Sequence, residues 1–321
     1  MAIQVDTGQL TFAKDVRKGL QQKPKQLPSK YFYDERGDQL FQQIMAMPEY
    51  YLTDAETAIF QKYAGQWSTA WKEQPFQLVE LGAGDGTKTK ILIRALEEAQ
   101  ATFSYCPIDI SKHVLQELRR ELKQEFPGLQ VHAQAGDYFQ ALDLLDKKLD
   151  MLPRIFLFLG SNIGNFSKAE ARQFLSRFRQ KVRPGDRLLI GMDLKKDPQR
   201  ILDAYNDPQG ITAAFNLNLL HRINRELGAD FEPAKFKHWE TYQPVTGATE
   251  SFLVSLEAQT VYIREIDLHV AFEAWEAVKV ELSQKYTLQE IEHLFRGLGF
   301  SQGAHYLDTE GLFVDTFWKI R

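Results

Sequence analysis

Short apolar runs alternate with segments of helical periodicity up to residue 194. The runs are almost wholly apolar, which is typical of parallel strands covered on both faces of a sheet. Between them, apolar residues recur every three or four positions, as in the segment 111–126, and this spacing predicts amphipathic helices. Strands that alternate with helices predict an α/β fold with a doubly wound parallel sheet. The predicted strands begin at Phe76 and then span 102–110, 129–138, 154–161 and 187–194.

After residue 194 this alternation stops. The pattern then indicates two helices, a group of paired strands, and a last helix followed by strands that return to the sheet. The helices are expected at 198–205, 210–227 and 287–298, and the strands within 249–263, 274–286 and 306–321.

The change of pattern predicts two domains. Residues 60–194 and 287–321 are expected to form the sheet domain, which would bind a cofactor. The N-terminal segment 1–59 and the insertion 195–286 are expected to form a second, smaller α+β domain, which would bind the substrate.

The N-terminal segment is rich in aromatic residues between positions 31 and 51. A buried tyrosine needs a hydrogen-bond partner for its hydroxyl, so a cluster of tyrosines can line a pocket as well as pack. Thr53 and Glu56 have the spacing of an N-terminal capping box, as do Ser167 and Glu170. We therefore expect helices to begin at Thr53 and at Ser167.

A glycine-rich turn follows the first predicted strand. Gly82, Gly84 and Gly86 let the backbone approach a ligand closely, and the helix after them presents free N–H groups. Dinucleotide dehydrogenases space their glycines as Gly-x-Gly-x-x-Gly, whereas here the third glycine comes one residue earlier. The spacing Gly-x-Gly-x-Gly resembles the first motif of Rossmann-like methyltransferases that use S-adenosylmethionine (SAM). A dinucleotide site and a purely structural turn are the two alternatives.

Polar residues also end the next predicted strands. Asp109 lies roughly 20 residues past the glycines, where a carboxylate can accept hydrogen bonds from ribose hydroxyls. Asp137 comes at the end of the following strand, a position that often meets the adenine edge in SAM enzymes. Asn165 falls in the loop after the fourth strand. Each of these residues could instead be a turn or cap residue, but together they favour a ligand site at the carboxyl ends of the strands.

The composition narrows the function classes. The formal net charge is −4 and the pI about 6.0, which argues against a nucleic-acid-binding protein, since such proteins usually carry a basic surplus. No apolar run approaches the roughly 18 residues of a membrane helix, and the N-terminus lacks the pattern of a signal peptide. A single cysteine, Cys106, excludes an intrachain disulfide and any cysteine-cluster metal site. We therefore expect a cytoplasmic, monomeric enzyme that binds neither nucleic acid nor membrane.

Several longer motifs remain: Tyr-Asp-x-Arg-Gly at Tyr33–Gly37, Pro48–Tyr51, Val79–Gly82, Gly160–Asn165, Asp193–Asp197, Ala204-Tyr205, Asn224–Phe231 and Glu281–Ser283. Together they resemble the histidine-specific, SAM-dependent Nα-methyltransferases, which form hercynine (Nα,Nα,Nα-trimethylhistidine) in the first step of ergothioneine biosynthesis. The resemblance extends from residue 31 to residue 321. It implies a SAM-dependent methyltransferase of Rossmann-like fold with L-histidine as its small-molecule substrate.

The resemblance also implies roles for individual residues. SAM would contact Gly82, Lys88, Asp109, Asp137 and Tyr138. Histidine would be held by Tyr50, Asn165, Tyr205, Glu281 and Ser283. Asn165 and Tyr205 match residues that bind the substrate carboxylate in the family. Glu281 and Ser283 match residues that bind the imidazole.

Methyl transfer is an in-line displacement by an amine lone pair on the sulfonium methyl group, so no metal is expected to be needed. Holding the two reactants aligned can supply roughly 7–11 kcal/mol of the barrier. An α-amino group titrates near about 8, so at neutral pH most of it is protonated and a proton must leave. Tyr33 lies in a matched motif and is our candidate catalytic residue for orienting the amine. Removal of the proton by solvent is the competing account.

One position departs from the family pattern. Ser251 stands where family members commonly have a methionine near the imidazole, and a smaller polar residue there reshapes the pocket. The same reaction on another free amino acid, such as tryptophan, is therefore the nearest alternative. An oxidoreductase with a nicotinamide cofactor and a SAM-binding protein without catalysis are the others.

Overall fold

The structure of the chain, a computed structural model, describes residues 7–148 and 152–321. The helices are α1 (Thr7–Gln21), α2 (Glu35–Met45), α3 (Tyr51–Trp71), α4 (Thr87–Glu98), α5 (Lys112–Glu125), α6 (Tyr138–Lys148), α7 (Lys168–Lys181), α8 (Pro198–Tyr205), α9 (Ile211–Leu227) and α10 (Leu288–Phe295). The strands are β1 (Phe76–Leu81), β2 (Phe103–Asp109), β3 (Gln130–Val131), β4 (Gln134–Ala135), β5 (Arg154–Phe158), β6 (Arg187–Asp193), β7 (Phe236–Gln243), β8 (Ala248–Ser255), β9 (Gln259–Ile263), β10 (Leu268–Phe272), β11 (Ala277–Gln284), β12 (Phe300–Leu307) and β13 (Phe313–Ile320).

The chain divides into two compact units. The smaller unit holds the described residues up to Tyr50 together with Asp197–Ser283. The larger unit holds Tyr51–Lys196, as far as it is described, together with Gln284–Arg321. The boundary predicted at residues 59 and 60 is wrong, because α3 runs across that point without a break and lies wholly in the larger unit.

The larger unit is built on an eight-stranded sheet in the order β12-β13-β6-β5-β1-β2-β3, with β4 also paired to β2. The strands from β6 to β3 are mutually parallel, and β13 and β12 add an antiparallel edge. All six residues of β1 are buried although their side chains alternate between the two faces. The sheet is therefore covered on both sides, as the apolar runs predicted, and the Rossmann-like α/β fold class is confirmed.

Aromatic side chains make much of this cover. On α3, Trp71 stacks on Phe317 of β13 with 6.0 Å between ring centroids. On α7, Phe178 meets Phe156 of β5 edge to face at 5.1 Å. Such ring pairs add about 0.5–1.5 kcal/mol to the free energy that the burial of the rings contributes to folding.

Two local predictions in the larger unit are wrong. The strand expected at 129–138 is two short strands, β3 and β4, and its last residue begins α6. This segment lies at the edge of the sheet with a partner on one side only, so an interruption leaves few hydrogen bonds unmade. The capping box expected at Thr53 is also absent, because α3 already begins at Tyr51.

The second capping box is confirmed. Ser167 Oγ accepts from the N–H of Glu170 at 3.3 Å, and Glu170 Oε2 accepts from the N–H of Ser167 at 2.9 Å. The two bonds satisfy N–H groups that the first turn of α7 would otherwise leave without partners.

The smaller unit combines helices with two antiparallel sheets. Strands β11, β8 and β7 form one sheet in that order, and β9 pairs with β10. The sequence pattern predicted the region of β8, β9 and β11 but missed β7 and β10. The core of the unit contains Val16 of α1, Ile44 of α2, Leu219 of α9 and Leu253 of β8, all at most 3% exposed. The helices predicted at 198–205 and 210–227 are present as α8 and α9.

Candidate functional site

The glycine turn after β1 holds three residues in the left-handed region. Gly82, Gly84 and Gly86 have φ angles of 75°, 53° and 66°. A Cβ atom on Gly82 would lie 2.6 Å from Asn162 Nδ2 and 3.0 Å from Tyr138 Oη, so no larger residue fits without displacing them. A Cβ atom on Gly84 would meet nothing within 4 Å, so this side of the turn is open. The turn is thus packed at one glycine and accessible at the next.

Asp109 lies at the end of β2 and is bonded to this turn. Its Oδ2 accepts from the N–H of Gly84 at 3.0 Å, and its Oδ1 accepts from the N–H of Ser111 at 2.9 Å. Burial raises the pKa of the Asp109 carboxyl, and these hydrogen bonds oppose that effect only in part. Each carboxylate oxygen can accept a further bond. The structure therefore brings the glycine turn and the predicted ribose carboxylate together.

Asp137 and Tyr138 begin α6. Asp137 is exposed, and its Oδ1 accepts from the N–H of Phe139 at 3.0 Å, which is the helix-start role that the sequence left open as an alternative. Tyr138 turns inward, with its ring edge-on to Phe158 and Phe174 at 5.5 and 6.1 Å. Burial raises the pKa of the Tyr138 hydroxyl, so it remains protonated. Of Asp137 and Tyr138, it is Tyr138 whose side chain lies next to Gly82.

Lys88, in the first turn of α4, forms an ion pair with Glu56 of α3. Both oxygens of Glu56 also accept from the N–H of Gly160, at 2.9 and 3.0 Å. Burial is the largest single effect and acts to lower the pKa of Lys88, but the charge and hydrogen bond of Glu56, together with the charges of Asp315 and Glu80, raise the net pKa. Burial and the nearby charge of Glu56 raise the pKa of Asp315 well above its ordinary value. Lys88 is therefore a cation held by a buried carboxylate.

Glu56 was missed as a site residue because its spacing from Thr53 suggested a cap. The better signal was a charged residue on the apolar side of a helix: Glu56 is 0% exposed, among buried residues such as Ile59 and Phe60. A charge in that position needs a partner from elsewhere in the fold.

Asn165 ends a short 3₁₀ turn, Asn162–Asn165, that follows β5. Its side chain is exposed. Ser161 precedes this turn with a φ of 55°, and its Oγ accepts from the N–H of Asp193 at 3.1 Å. Asn165 belongs to the larger unit, whereas the other four predicted histidine-binding residues belong to the smaller one.

Those four residues in the smaller unit are partly grouped by direct contacts. Tyr205 Oη, at the end of α8, lies 2.8 Å from Ser283 Oγ of β11. The ring of Tyr50 is edge-on to that of Tyr205 at 6.2 Å. Tyr33 joins the same aromatic row through Phe41, which lies 5.5 Å from Tyr33 and 6.3 Å from Tyr50 between ring centroids. Tyr33, Tyr50, Tyr205 and Ser283 thus form one connected group.

Glu281 lies two residues before Ser283 on β11 and contacts a different neighbour. Its Oε2 is 3.3 Å from Ser251 Oγ of β8. Ser251 is paired directly with Glu240 of β7, and its Oγ lies 2.6 Å from Glu240 Oε2. Glu240 was not a predicted site residue, because β7 itself was missed.

His238 of β7 contacts the backbone of Tyr205. Its Nε2 is 3.0 Å from the Tyr205 carbonyl oxygen, and its Nδ1 is 2.9 Å from Asn216 Nδ2 of α9. Because a carbonyl only accepts, Nε2 must carry the proton and Nδ1 must accept from the amide. Burial lowers the pKa of His238, which agrees with a neutral ring. No motif or spacing in the sequence pointed to this histidine.

Within residues 7–148 and 152–321, no group of three or more His, Cys, Asp or Glu side chains is placed to hold a metal ion. In the same described residues, no helix has both the length and the apolar character needed to cross a membrane.

Comparison with known proteins gives a consistent picture. A family model described as histidine-specific methyltransferase, SAM-dependent, matches residues 12–320. The histidine N-alpha-methyltransferase of Mycobacterium tuberculosis is 37% identical over 96% of this chain and 94% of its own length. Ergothioneine biosynthesis protein 1 of Neurospora crassa is 33% identical over 88% of this chain and 32% of its own length. An L-tryptophan methyltransferase of Psilocybe serbica is 30% identical over 88% of this chain and 85% of its own length.

Replacement of Asp109 by asparagine should weaken cofactor binding. The amide group would direct N–H donors toward one of the two backbone N–H groups that the carboxylate now accepts from. The proposed ribose site would also keep only one side-chain oxygen as an acceptor. Loss of one bond to a ribose hydroxyl costs about 1–3 kcal/mol, so the Kd of S-adenosylhomocysteine should rise about 5- to 150-fold. Calorimetric titration measures it, with Asp143→Asn, an exposed residue of α6, as the control. Equal affinity in Asp109→Asn and the control would remove Asp109 from the cofactor site.

His238 should make stability depend on pH. Because its pKa is lowered in the folded chain, its contribution is complete above the unfolded value of about 6.5. Below that pH the unfolded chain takes up a proton that the folded side chain excludes, so stability falls by at most about 1.4 kcal/mol per pH unit until the folded pKa is passed. The free energy of unfolding in urea should therefore differ between wild type and His238→Asn, and this difference should shrink as the pH falls from about 7.5 to about 5.5. A difference that stays constant or grows on acidification would contradict a buried neutral His238.

Proposed function

Because the chain belongs to the histidine-specific, SAM-dependent methyltransferase family, we propose that it methylates the α-amino nitrogen of L-histidine to Nα,Nα,Nα-trimethylhistidine. Formation of this product is the first step of ergothioneine biosynthesis. The observation that carries the proposal is the family match over residues 12–320. We also infer that the enzyme works as a cytoplasmic monomer on this small molecule, without a metal, a nucleic acid or a membrane.

The proposed cofactor residues fit SAM. SAM would lie against the open side of the glycine turn at Gly84, where a Cβ atom would meet nothing within 4 Å. Asp109 would accept from the ribose hydroxyls, and the Tyr138 hydroxyl would border the same turn. Asp137 would lie at the adenine edge, and Lys88 is proposed on the family resemblance alone. When bound, SAM supplies an electrophilic methyl group on a sulfonium centre.

The proposed amino acid residues offer both donors and acceptors. The Tyr205 and Ser283 hydroxyls each carry one hydrogen, and their mutual contact uses one of the two. As the family resemblance implies, Tyr205 is proposed to bind the substrate carboxylate and Ser283 to bind the imidazole, and their contact holds the two hydroxyls next to each other. Tyr50 packs against Tyr205 and limits the movement of its ring. Asn165 is proposed as a second carboxylate partner on the family resemblance alone.

Glu281 is proposed to select the imidazole ring. A carboxylate accepts from an imidazole N–H, and more strongly from an imidazolium. A charge-assisted bond of this kind contributes about 1.5–3 kcal/mol. An apolar side chain of the same size would forfeit that contribution, so the pocket would discriminate against it.

The α-amino group must lose a proton before each attack. Tyr33 is proposed to orient this amine, and its place beside Phe41 and Tyr50 in the aromatic row supports the proposal. The lost proton leaves to solvent in the competing account, in which Tyr33 serves as a packing residue. Alignment rather than proton transfer would then supply most of the rate enhancement.

Tryptophan is the second candidate substrate, because one relative carries the name L-tryptophan methyltransferase. A panel of L-amino acids is offered to the enzyme with SAM, in buffer that contains a metal chelator, and the products are identified by mass spectrometry. The relative turnover of histidine and tryptophan separates the two candidate substrates. We expect L-histidine to have the highest kcat/KM and to gain three methyl groups. A higher kcat/KM for tryptophan would overturn the histidine proposal but keep the reaction type.

Replacement of Glu281 by alanine should raise the KM for L-histidine about 10- to 150-fold, because the charge-assisted bond is lost. The Kd of S-adenosylhomocysteine should stay at the wild-type value, since Glu281 is not among the proposed cofactor residues. Glu250→Ala is the matched control, because Glu250 is a neighbouring carboxylate of β8 that pairs with Lys279. Histidine kinetics that Glu281→Ala leaves unchanged would remove this carboxylate from the pocket.

A further inference from the structure

Three polar side chains form a row across the three-stranded sheet of the smaller unit. Glu240 lies on β7, Ser251 on the central strand β8 and Glu281 on β11. The Ser251 hydroxyl is 2.6 Å from Glu240 Oε2 and 3.3 Å from Glu281 Oε2. One hydroxyl therefore stands between two carboxylates. We call these three residues the carboxylate row.

Ser251 has a single hydrogen to donate, so it can make a full hydrogen bond to only one of the two carboxylates. The contact with Glu240 has the length of a charge-assisted O–H···O⁻ bond, about 2.5–2.7 Å. The contact with Glu281 is longer than the ordinary range for hydroxyl donors, about 2.5–3.0 Å. The hydrogen therefore belongs to the bond with Glu240, and Ser251 Oγ faces Glu281 with its lone pairs.

Two acceptor atoms, Ser251 Oγ and Glu281 Oε2, then lie 3.3 Å apart. Two oxygens at this separation can both accept from one N–H group. Burial orders the row: Ser251 is 1% exposed and Glu240 8%, while Glu281 is the most exposed of the three. A ligand would therefore meet Glu281 first, while Ser251 and Glu240 both lie deeper, and of these two the contacts place Ser251 next to Glu281.

We propose that Glu240 is a positioning residue that orients Ser251, so that Ser251 Oγ and Glu281 Oε2 together accept one ring N–H of the substrate side chain. The row thus selects a nitrogen heterocycle that can donate a hydrogen bond, and the inference rests on the proposed amino acid methylation. Glu240 itself does not contact the substrate. It acts by holding the Ser251 hydrogen away from Glu281.

The test is a double-mutant cycle in the full chain with Glu240→Gln, Ser251→Ala and the double variant. The glutamine amide can donate to Ser251 Oγ, so in Glu240→Gln the Ser251 hydrogen turns toward Glu281 and competes with the substrate. We expect the KM for L-histidine to rise about tenfold, which corresponds to the loss of one hydrogen bond, with kcat unchanged. Ser251→Ala should raise the KM to a similar extent, because one of the two acceptors is removed.

The double variant decides whether Glu240 acts through Ser251. Without the hydroxyl, Glu240→Gln has no route to Glu281, so the KM of the double variant should equal that of Ser251→Ala. Effects of the two substitutions that multiply would overturn the proposal, as would a Glu240→Gln enzyme with the wild-type KM. A loss of structure would change the Kd of S-adenosylhomocysteine and the melting temperature, whereas the proposed effect on Ser251 changes neither. Glu250→Gln is the control variant for both measurements.

The outcome for the proposed function is read separately. Wild-type turnover of L-histidine tests that function by itself, before any variant is compared. If the wild type methylates histidine and the cycle shows no coupling, the inference about Glu240 fails alone. If Glu240→Gln does not fold, Ser251→Ala still provides a test. A wild-type KM in that variant would contradict the proposal that Ser251 Oγ and Glu281 Oε2 accept the ring N–H together.

Discussion

The close approach of backbone to side chains at Gly82 is the constraint on which the larger unit depends. Parallel strands end at one edge of their sheet, so whatever follows β1, β2 and β5 is brought to the same place. At Gly82 there is no room for a Cβ atom beside Asn162 and Tyr138. The turn follows a left-handed path at all three glycines, the N–H group of Gly84 donates to Asp109, and Gly84 remains open. The strand order and one residue without room for a side chain thus shape the edge of the sheet at which we propose that the cofactor binds.

The smaller unit depends on satisfying polar groups inside an antiparallel sheet and its helices. His238 bonds to the backbone of Tyr205 and to Asn216, so the end of α8 is held against β7 and α9. The Tyr205 hydroxyl in turn contacts Ser283, two residues after Glu281 on β11. Buried polar groups without partners are costly, so these bonds restrict each side chain to few arrangements. The same contacts that stabilise the unit also fix the positions of hydroxyl and carboxylate groups that can recognise an amino acid.

The sequence predicted what depends on local periodicity and local chemistry. The apolar runs of β1 and β5, the helices α8 and α9 and the cap at Ser167 were all found, because each signal lies within a few residues. The residues that were missed have partners elsewhere in the chain: Glu56 binds Gly160, and Glu240, on a strand that was not predicted, accepts from Ser251. At Thr53 a local signal was misleading. The residues 53–56 have the spacing of a capping box, but they lie inside α3, which already begins at Tyr51. The family resemblance identified Ser251 as unusual, but only the register of β7 with β8 shows what it contacts.

In the proposed reaction, methyl groups go to the α-nitrogen of histidine rather than to its ring. The most direct measurement is two-dimensional NMR of the product formed from L-histidine and SAM that carries a ¹³C-labelled methyl group. The account predicts a single methyl signal, from three equivalent groups that correlate with the α-carbon of histidine. Methyl signals that correlate with the imidazole carbons, or no transfer of label to histidine at all, would contradict it.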